Sequence, residues 1–181
     1  MRVVFERCEP RGYQSYVHRD DGVVLLLPAY DRKWRVPHDL AHLATERELR
    51  MTDGVFGSIA AGGVFPNMRV VSGRPRHDAK QRSERLLREN KRALGVAEVL
   101  AAVVHEAVEH RNRAELVQRA RGAWGVLHEE PFPYPAYAVT AAADTLEELV
   151  AGWTGRTFEV EWVSRRGPSA GRRAPRPTGP R

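Results

Sequence analysis

The sheet of this protein is predicted from one hairpin near its N-terminus, Tyr13-Gln14-Ser15-Tyr16-Val17-His18-Arg19-Asp20-Asp21-Gly22-Val23-Val24-Leu25-Leu26-Leu27-Pro28. Its two halves are rich in β-branched, aromatic and aliphatic residues, which favour β-strands, and the Asp-Gly pair between them is typical of a tight hairpin turn. The stretch therefore predicts two antiparallel strands, over residues 13–18 and 23–27, with Pro28 ending the second.

Two further strands are predicted on either side of this hairpin in the sequence. Residues 3–6 (VVFE) form a short β-branched and aromatic run, and residues 156–163 (RTFEVEWV) alternate apolar and polar side chains as a half-buried strand does. We predict that the closing strand joins the three N-terminal strands in one sheet.

The sequence between these strands predicts helices. They are expected over residues 37–51, 55–61, 78–110, 113–121 and 144–152, with a loop over residues 65–77. Pro37 suits a first helical position, Asp53 suits an N-cap, and Gly95 marks a point where the long helix would split. Asp144-Thr145-Leu146-Glu147 has the pattern of a capping box. The predicted fold class is α+β: a small antiparallel sheet, of three N-terminal strands plus the C-terminal strand, packed against several helices.

Length, charge and cysteine content restrict the class of protein. The 181 residues suffice for one domain, predicted over residues 1–163, and the single cysteine, Cys8, excludes an internal disulfide. Residues 164–181 hold six arginines and no acid, are rich in Pro and Gly, and are predicted to form a disordered tail. This tail accounts for the whole formal net charge of +6. No apolar run is long enough for a signal peptide or a membrane span, so we expect a cytoplasmic protein without a membrane partner.

The segment most typical of a functional site is His38-Asp39-Leu40-Ala41-His42-Leu43-Ala44-Thr45-Glu46, at the start of a predicted helix. His38, His42 and Glu46 fall on one stripe, at about 0°, 40° and 80° around the helix axis. Two imidazoles at i and i+4 can share one metal ion, and Asp39 or Glu46 would act as a further ligand, as an orienting carboxylate or in catalysis. His38 and Glu46 lie about 12 Å apart along the axis, so Glu46 is a better partner for His42 than a third ligand. The alternative is an ordinary i,i+4 pair on a solvated face.

A missing ligand would have to come from another element, and the best source is His105-Glu106-Ala107-Val108-Glu109-His110. His105 lies at the edge of the apolar face of its helix, next to Glu98 and Glu109 on the helical wheel. If this helix packs beside the first, His105 or Glu109 would complete a metal site with His38 and His42. The alternative is a charged helix end, with His110 near the negative pole of the helix dipole.

Two resemblances accompany these motifs. The segments Arg19-Asp20-Asp21-Gly22, Pro37-His38-Asp39-Leu40-Ala41-His42 and Asp53-Gly54-Val55-Phe56-Gly57 resemble those of a family of uncharacterised small bacterial proteins, a resemblance that implies no activity. His38-Asp39-Leu40-Ala41-His42 is also similar to the HDxxH metal motif of a ubiquinone-biosynthesis protein family. That family places its acidic ligand further along the chain, where this sequence has Asp53-Gly54, so the spacing departs from the family pattern.

Three hypotheses follow for function. The first is a bacterial protein with a divalent-metal site (zinc, iron or manganese) on His38 and His42, serving metal-assisted hydrolysis or acid–base chemistry on an unknown small molecule. The second is a non-catalytic domain that binds a protein partner and carries an arginine-rich tail. The third is weak nucleic-acid association through that tail alone. The sequence does not decide whether the protein is an enzyme or what oligomer it forms.

Overall fold

The computed structural model describes residues 1–8, 12–28 and 34–163; the predicted tail at 164–181 lies outside the described residues. In chain order the elements are β1 (Arg2–Arg7), β2 (Tyr13–His18), β3 (Val24–Pro28), α1 (His38–Glu48), α2 (Val55–Ala60), β4 (Arg69–Ser72), α3 (Ala79–Glu89), α4 (Lys91–Glu109), α5 (Leu116–Leu127), α6 (Ala136–Gly152) and β5 (Thr157–Glu161). The α+β fold class predicted from the sequence is confirmed.

The strands form one antiparallel sheet with the order β4-β3-β2-β1-β5. β1 lies between the second and the last strand, so that Val3 stands opposite both Val17 and Val160. The predicted union of the closing strand with the N-terminal strands is confirmed. Alternate side chains of β1 and β2, such as Val3, Phe5 and Val17, are fully buried and give the sheet one apolar face.

The predicted loop over residues 65–77 is wrong in part, because Arg69–Ser72 form β4 on the edge of the sheet. All four of its residues are exposed, so the strand has no alternation of buried and exposed side chains for a sequence pattern to detect. It pairs with β3 through a register irregularity between Val24 and Leu25.

Helix α1 is the central helix of the layer that covers the sheet. Residues 40–46 are all buried, since α1 packs against α4 and against α6. This packing brings the two helices that carry the predicted histidines side by side. The first of those helices is therefore covered on more than one side, and its histidine stripe faces a neighbouring helix.

Three helix predictions are corrected by the structure. The pattern over 78–110 forms two helices that meet at Asn90, whereas Gly95 lies inside α4. The short helix predicted over 113–121 runs instead over Leu116–Leu127. The capping box is wrong because α6 begins at Ala136, directly after Pro135, and continues through residues 144–147. Thr145 is buried within α6, where its hydroxyl donates to Glu48 Oε1 at 3.0 Å.

Among the described residues, no helix is long and apolar enough to cross a membrane.

Core packing predicts a large difference between two aliphatic truncations. Leu146 in α6 is fully buried, whereas Val126 in α5 is 82% exposed. We expect Leu146→Ala to lower the free energy of unfolding by about 2–5 kcal/mol, because it removes buried methyl groups and leaves a cavity. Val126→Ala should change it by about 0.5 kcal/mol or less. Urea unfolding followed by circular dichroism measures both, and equal losses would contradict this assignment of the core.

Candidate metal centre

Three ligand atoms converge between α1 and α4. His38 Nε2 lies 3.3 Å from Glu98 Oε1, and His42 Nε2 lies 3.1 Å from Glu98 Oε2. The ligand atoms of these three residues all lie within 4.8 Å of one another. Donors bound at about 2.1 Å to a tetrahedral ion are about 3.4 Å apart, which is close to these separations. His38, His42 and Glu98 could therefore hold a metal ion.

The helices determine this arrangement. His38 and His42 are one turn apart on α1, and their rings meet edge to face with centroids 4.9 Å apart. Glu98 reaches both from α4. The His42 side chain is buried, that of His38 is 30% exposed and that of Glu98 is 62% exposed, so the cluster has a closed inner side and an open outer side.

Glu46 positions His42 from the inner side. Its carboxylate has no solvent exposure, and Oε1 lies 3.4 Å from His42 Nδ1. The same carboxylate accepts backbone N–H groups of Val55 at 2.8 Å, Phe56 at 2.9 Å and Gly57 at 3.3 Å. A carboxylate on the second nitrogen of a histidine fixes the tautomer and the ring orientation needed for metal binding.

Glu46 also caps α2. The prediction of Asp53 as the N-cap is wrong, because Gly54 occupies that position and the first N–H groups of α2 bond to Glu46 instead. Gly54 is required by this contact, since a Cβ there would lie 2.5 Å from Glu46 Cδ. One buried carboxylate thus holds both a short helix and the imidazole of His42.

The surroundings of the cluster favour a positive charge on His42. Burial acts to lower the pKa of His42, but its hydrogen bonds with Glu46 and Glu98 outweigh burial and raise the pKa to about 9. Hydrogen bonds from His38 and His42 hold the pKa of Glu98 well below its usual range. The cluster therefore binds a proton tightly when it holds no other cation.

His105 and Glu109, the two predicted ligands on α4, lie near α1 but are used differently. The His105 ring packs 5.3 Å from the His38 ring, and its Nε2 donates to the Val36 carbonyl at 2.8 Å. The Glu109 carboxylate accepts the backbone N–H groups of Arg35 at 3.1 Å and Val36 at 2.7 Å. Both residues hold the segment that leads into α1, and neither belongs to the group of converging ligand atoms.

Asp39 is not one of the converging ligands. Its backbone N–H donates to the Tyr13 hydroxyl at 3.3 Å, and its Oδ2 is shielded without a hydrogen-bond partner among the described residues. Burial raises the pKa of Asp39, while its electrostatic interactions with His42 and His38 oppose this change. We therefore assign Asp39 no ligand position.

Sequence reasoning missed Glu98 as a ligand. The signal available was its position seven residues before His105, on the same stripe of α4. Two helical turns, about 10 Å, separate Glu98 from that predicted ligand. Choosing between them requires the register of α4 against α1, which is a tertiary property.

Comparison with protein-family models, curated proteins and solved structures finds no match to this chain.

A pair of glycine substitutions tests the Glu46 contact. Gly54→Ala should lower the free energy of unfolding by about 1–3 kcal/mol, because the added methyl group displaces the Glu46 carboxylate from His42 and from α2. Gly95→Ala is the matched control: a Cβ there meets nothing within 4 Å, and alanine in a helix should stabilise by about 0.5–1 kcal/mol. Urea unfolding compares the two, and an unchanged stability of Gly54→Ala would refute the close packing of Glu46.

The raised pKa of His42 predicts a pH dependence of the metal-free protein. Because the folded pKa of about 9 exceeds the unfolded value near 6.5, charged His42 stabilises the fold fully below about pH 6.5. This contribution should be lost as pH rises through 9. Denaturant unfolding with a chelator present should show the free energy of unfolding falling between these pH values. In His42→Gln this free energy should depend less on pH. His110→Gln, at an exposed histidine of the same chain, should leave this pH dependence unchanged; equal slopes for wild type and His42→Gln would contradict the assignment.

Proposed function

We propose that this protein binds one divalent metal ion through His38 Nε2, His42 Nε2 and a carboxylate oxygen of Glu98. The observation that carries the proposal is the convergence of these three ligand atoms beside a histidine already oriented by Glu46. Two imidazoles and a carboxylate suit zinc, iron or manganese, which bind nitrogen and oxygen ligands.

The number of ligands favours a catalytic site over a structural one. Structural zinc sites are closed by four protein ligands, whereas catalytic sites keep a position open for water or substrate. Among residues 1–8, 12–28 and 34–163, three protein ligands converge here, and the open side lies toward the exposed Glu98 and the partly exposed His38. A metal ion in such a position supplies an activated water molecule or polarises a substrate oxygen.

A recess beside His38 offers room for a small substrate. It has a volume of about 270 Å³ and is lined by Trp34, His38, Ala102, His105, Glu106, Glu109 and His110. The Trp34 ring packs edge to face against His105 and His110, with centroids 5.8 and 6.0 Å away. We therefore propose metal-assisted hydrolysis, or acid–base chemistry through the same residues, on a small molecule bound in this recess.

Metal binding is tested on protein purified without a histidine tag. We expect close to one equivalent of metal per chain by elemental analysis, and isothermal titration of the metal-free protein with Zn²⁺, Mn²⁺ and anaerobic Fe²⁺ should show one site. Glu98→Gln and His42→Asn should each abolish stoichiometric binding, because two ligands remain. Glu46→Gln should weaken binding about 10–100-fold, as expected when a partner of a metal-bound histidine is lost.

Matched controls lie on the same elements. Glu106→Gln changes an exposed carboxylate of α4, and His110→Asn changes an exposed histidine after it, without touching the three ligands. Both should bind metal as wild type does. If wild type takes up none of the three ions and shows no thermal shift with them, the metal proposal fails and the interaction-domain hypothesis takes its place.

A further inference from the structure

Residues 1–163 have no formal net charge, but their positive and negative charges lie in different parts of the sequence. Residues 69–92, here called the basic segment, hold nine Lys or Arg and three Asp or Glu, which gives them a formal charge of +6. The rest of the domain is correspondingly acidic. The basic segment comprises β4, the loop after it, α3 and the first residues of α4. Its charge is therefore as large as that of the predicted tail, but it lies on defined structure.

The basic segment faces outward. Ser83 is the only buried residue of α3, and its hydroxyl accepts the Val64 N–H at 2.8 Å and donates to the Val64 carbonyl at 3.3 Å. Leu86 and Leu87 are half-buried on the same side, while the charged residues of the helix from Lys80 onward are exposed. This attachment leaves the basic side chains of α3 available to a partner.

Arginines from separate segments meet at one recess on this surface. The recess, of about 340 Å³, is lined by Arg19 from the β2–β3 turn, Arg76 from the loop, and Arg82 and Arg85 from α3, which outnumber the two carboxylates there, Asp21 and Glu89. Arg19 is paired with Asp21. The other three are free or loosely paired: Arg82 lies 3.9 Å from Asp78, Arg85 lies 4.0 Å from Glu89, and Arg76 has no ion pair with any described residue.

The extent of the positive surface favours a long polyanion over a single phosphate group. α3 alone spans about 16 Å, and Lys80 and Arg88 extend the positive charge beyond the recess. The sequence 69–92 contains no Phe, Tyr or Trp, whereas proteins that hold single-stranded nucleic acids stack the bases on aromatic side chains. A duplex presents its phosphates without requiring such stacking.

We propose that the basic segment binds the phosphate backbone of double-stranded nucleic acid, with a phosphate at the recess formed by Arg76, Arg82 and Arg85. Binding is independent of base sequence, since contacts from these side chains to phosphate groups carry no sequence information. This interaction differs from association through the tail alone, and it does not depend on the metal centre.

The test is fluorescence anisotropy with a labelled random-sequence DNA duplex of about 20 base pairs, at salt concentrations from about 50 to 200 mM. Full-length wild type should bind with a Kd on the order of 10⁻⁶–10⁻⁴ M, falling in affinity as salt rises. The variant Arg76→Ala/Arg82→Ala/Arg85→Ala should bind at least tenfold more weakly. Its slope of log affinity against log salt should be smaller by about 2–3, as expected for three lost phosphate contacts.

Two full-length controls separate this surface from other sources of charge. Arg111→Ala/Arg121→Ala/Arg156→Ala removes three exposed arginines elsewhere and should keep the wild-type slope. A variant with alanine at all six tail arginines should keep the part of the binding that the variant Arg76→Ala/Arg82→Ala/Arg85→Ala loses. Circular dichroism melting checks that each variant is folded. If the triple variant is unstable, the single change Arg76→Gln, in an exposed loop, should still lower the slope of log affinity against log salt by about 1.

Three results would overturn the proposal. They are no binding of the duplex by wild type, complete loss of binding in the tail variant with wild-type binding in the triple variant, or binding confined to a single strand of the same length.

Discussion

The carboxylate of Glu46 is the constraint on which the centre of this structure depends. A carboxylate without solvent exposure is costly unless its oxygens are satisfied by hydrogen bonds or charge. Glu46 meets that requirement with three backbone N–H groups from residues 55–57 and with the imidazole of His42. Because α2 has six residues, it gains from an external cap at its N-terminus. The turn after α1, the start of α2 and the orientation of His42 are therefore fixed together.

This arrangement also determines what the outer side of the cluster can bind. With neutral imidazoles, Glu46 and Glu98 would place two negative charges around His42 and one beside His38. Such a site favours a cation, and its outer face is open where Glu98 is exposed. His105 and Glu109 do not line that face. They form hydrogen bonds with backbone groups of residues 35 and 36, and these bonds fix the position at which α1 begins.

Local chemistry made part of this structure predictable. The β2–β3 hairpin, the closing strand and the pairing of His38 with His42 follow from periodicity and turn residues that are visible in the sequence. β4 was missed because all its side chains are exposed, and the capping box misled because its residues lie inside a longer helix. The ligand position of Glu98 and the capping role of Glu46 depend on how α1 packs against α4 and α2. The spacing of residues within one helix does not encode this packing.

A metal ion bound by this cluster would compete with a proton for His42 Nε2. In the metal-free state His42 can place one N–H toward Glu46 and the other toward Glu98, and this double hydrogen bonding keeps its pKa near 9. A metal ion at Nε2 would replace the second of these protons and leave the first, so the bond to Glu46 serves both states. The carboxylate that stabilises the charged imidazole would also orient the neutral one for a metal. A proton and a metal ion would thus occupy the same geometry, and the cation bound between His42 and Glu98 would decide between the acid–base and the metal chemistry proposed above.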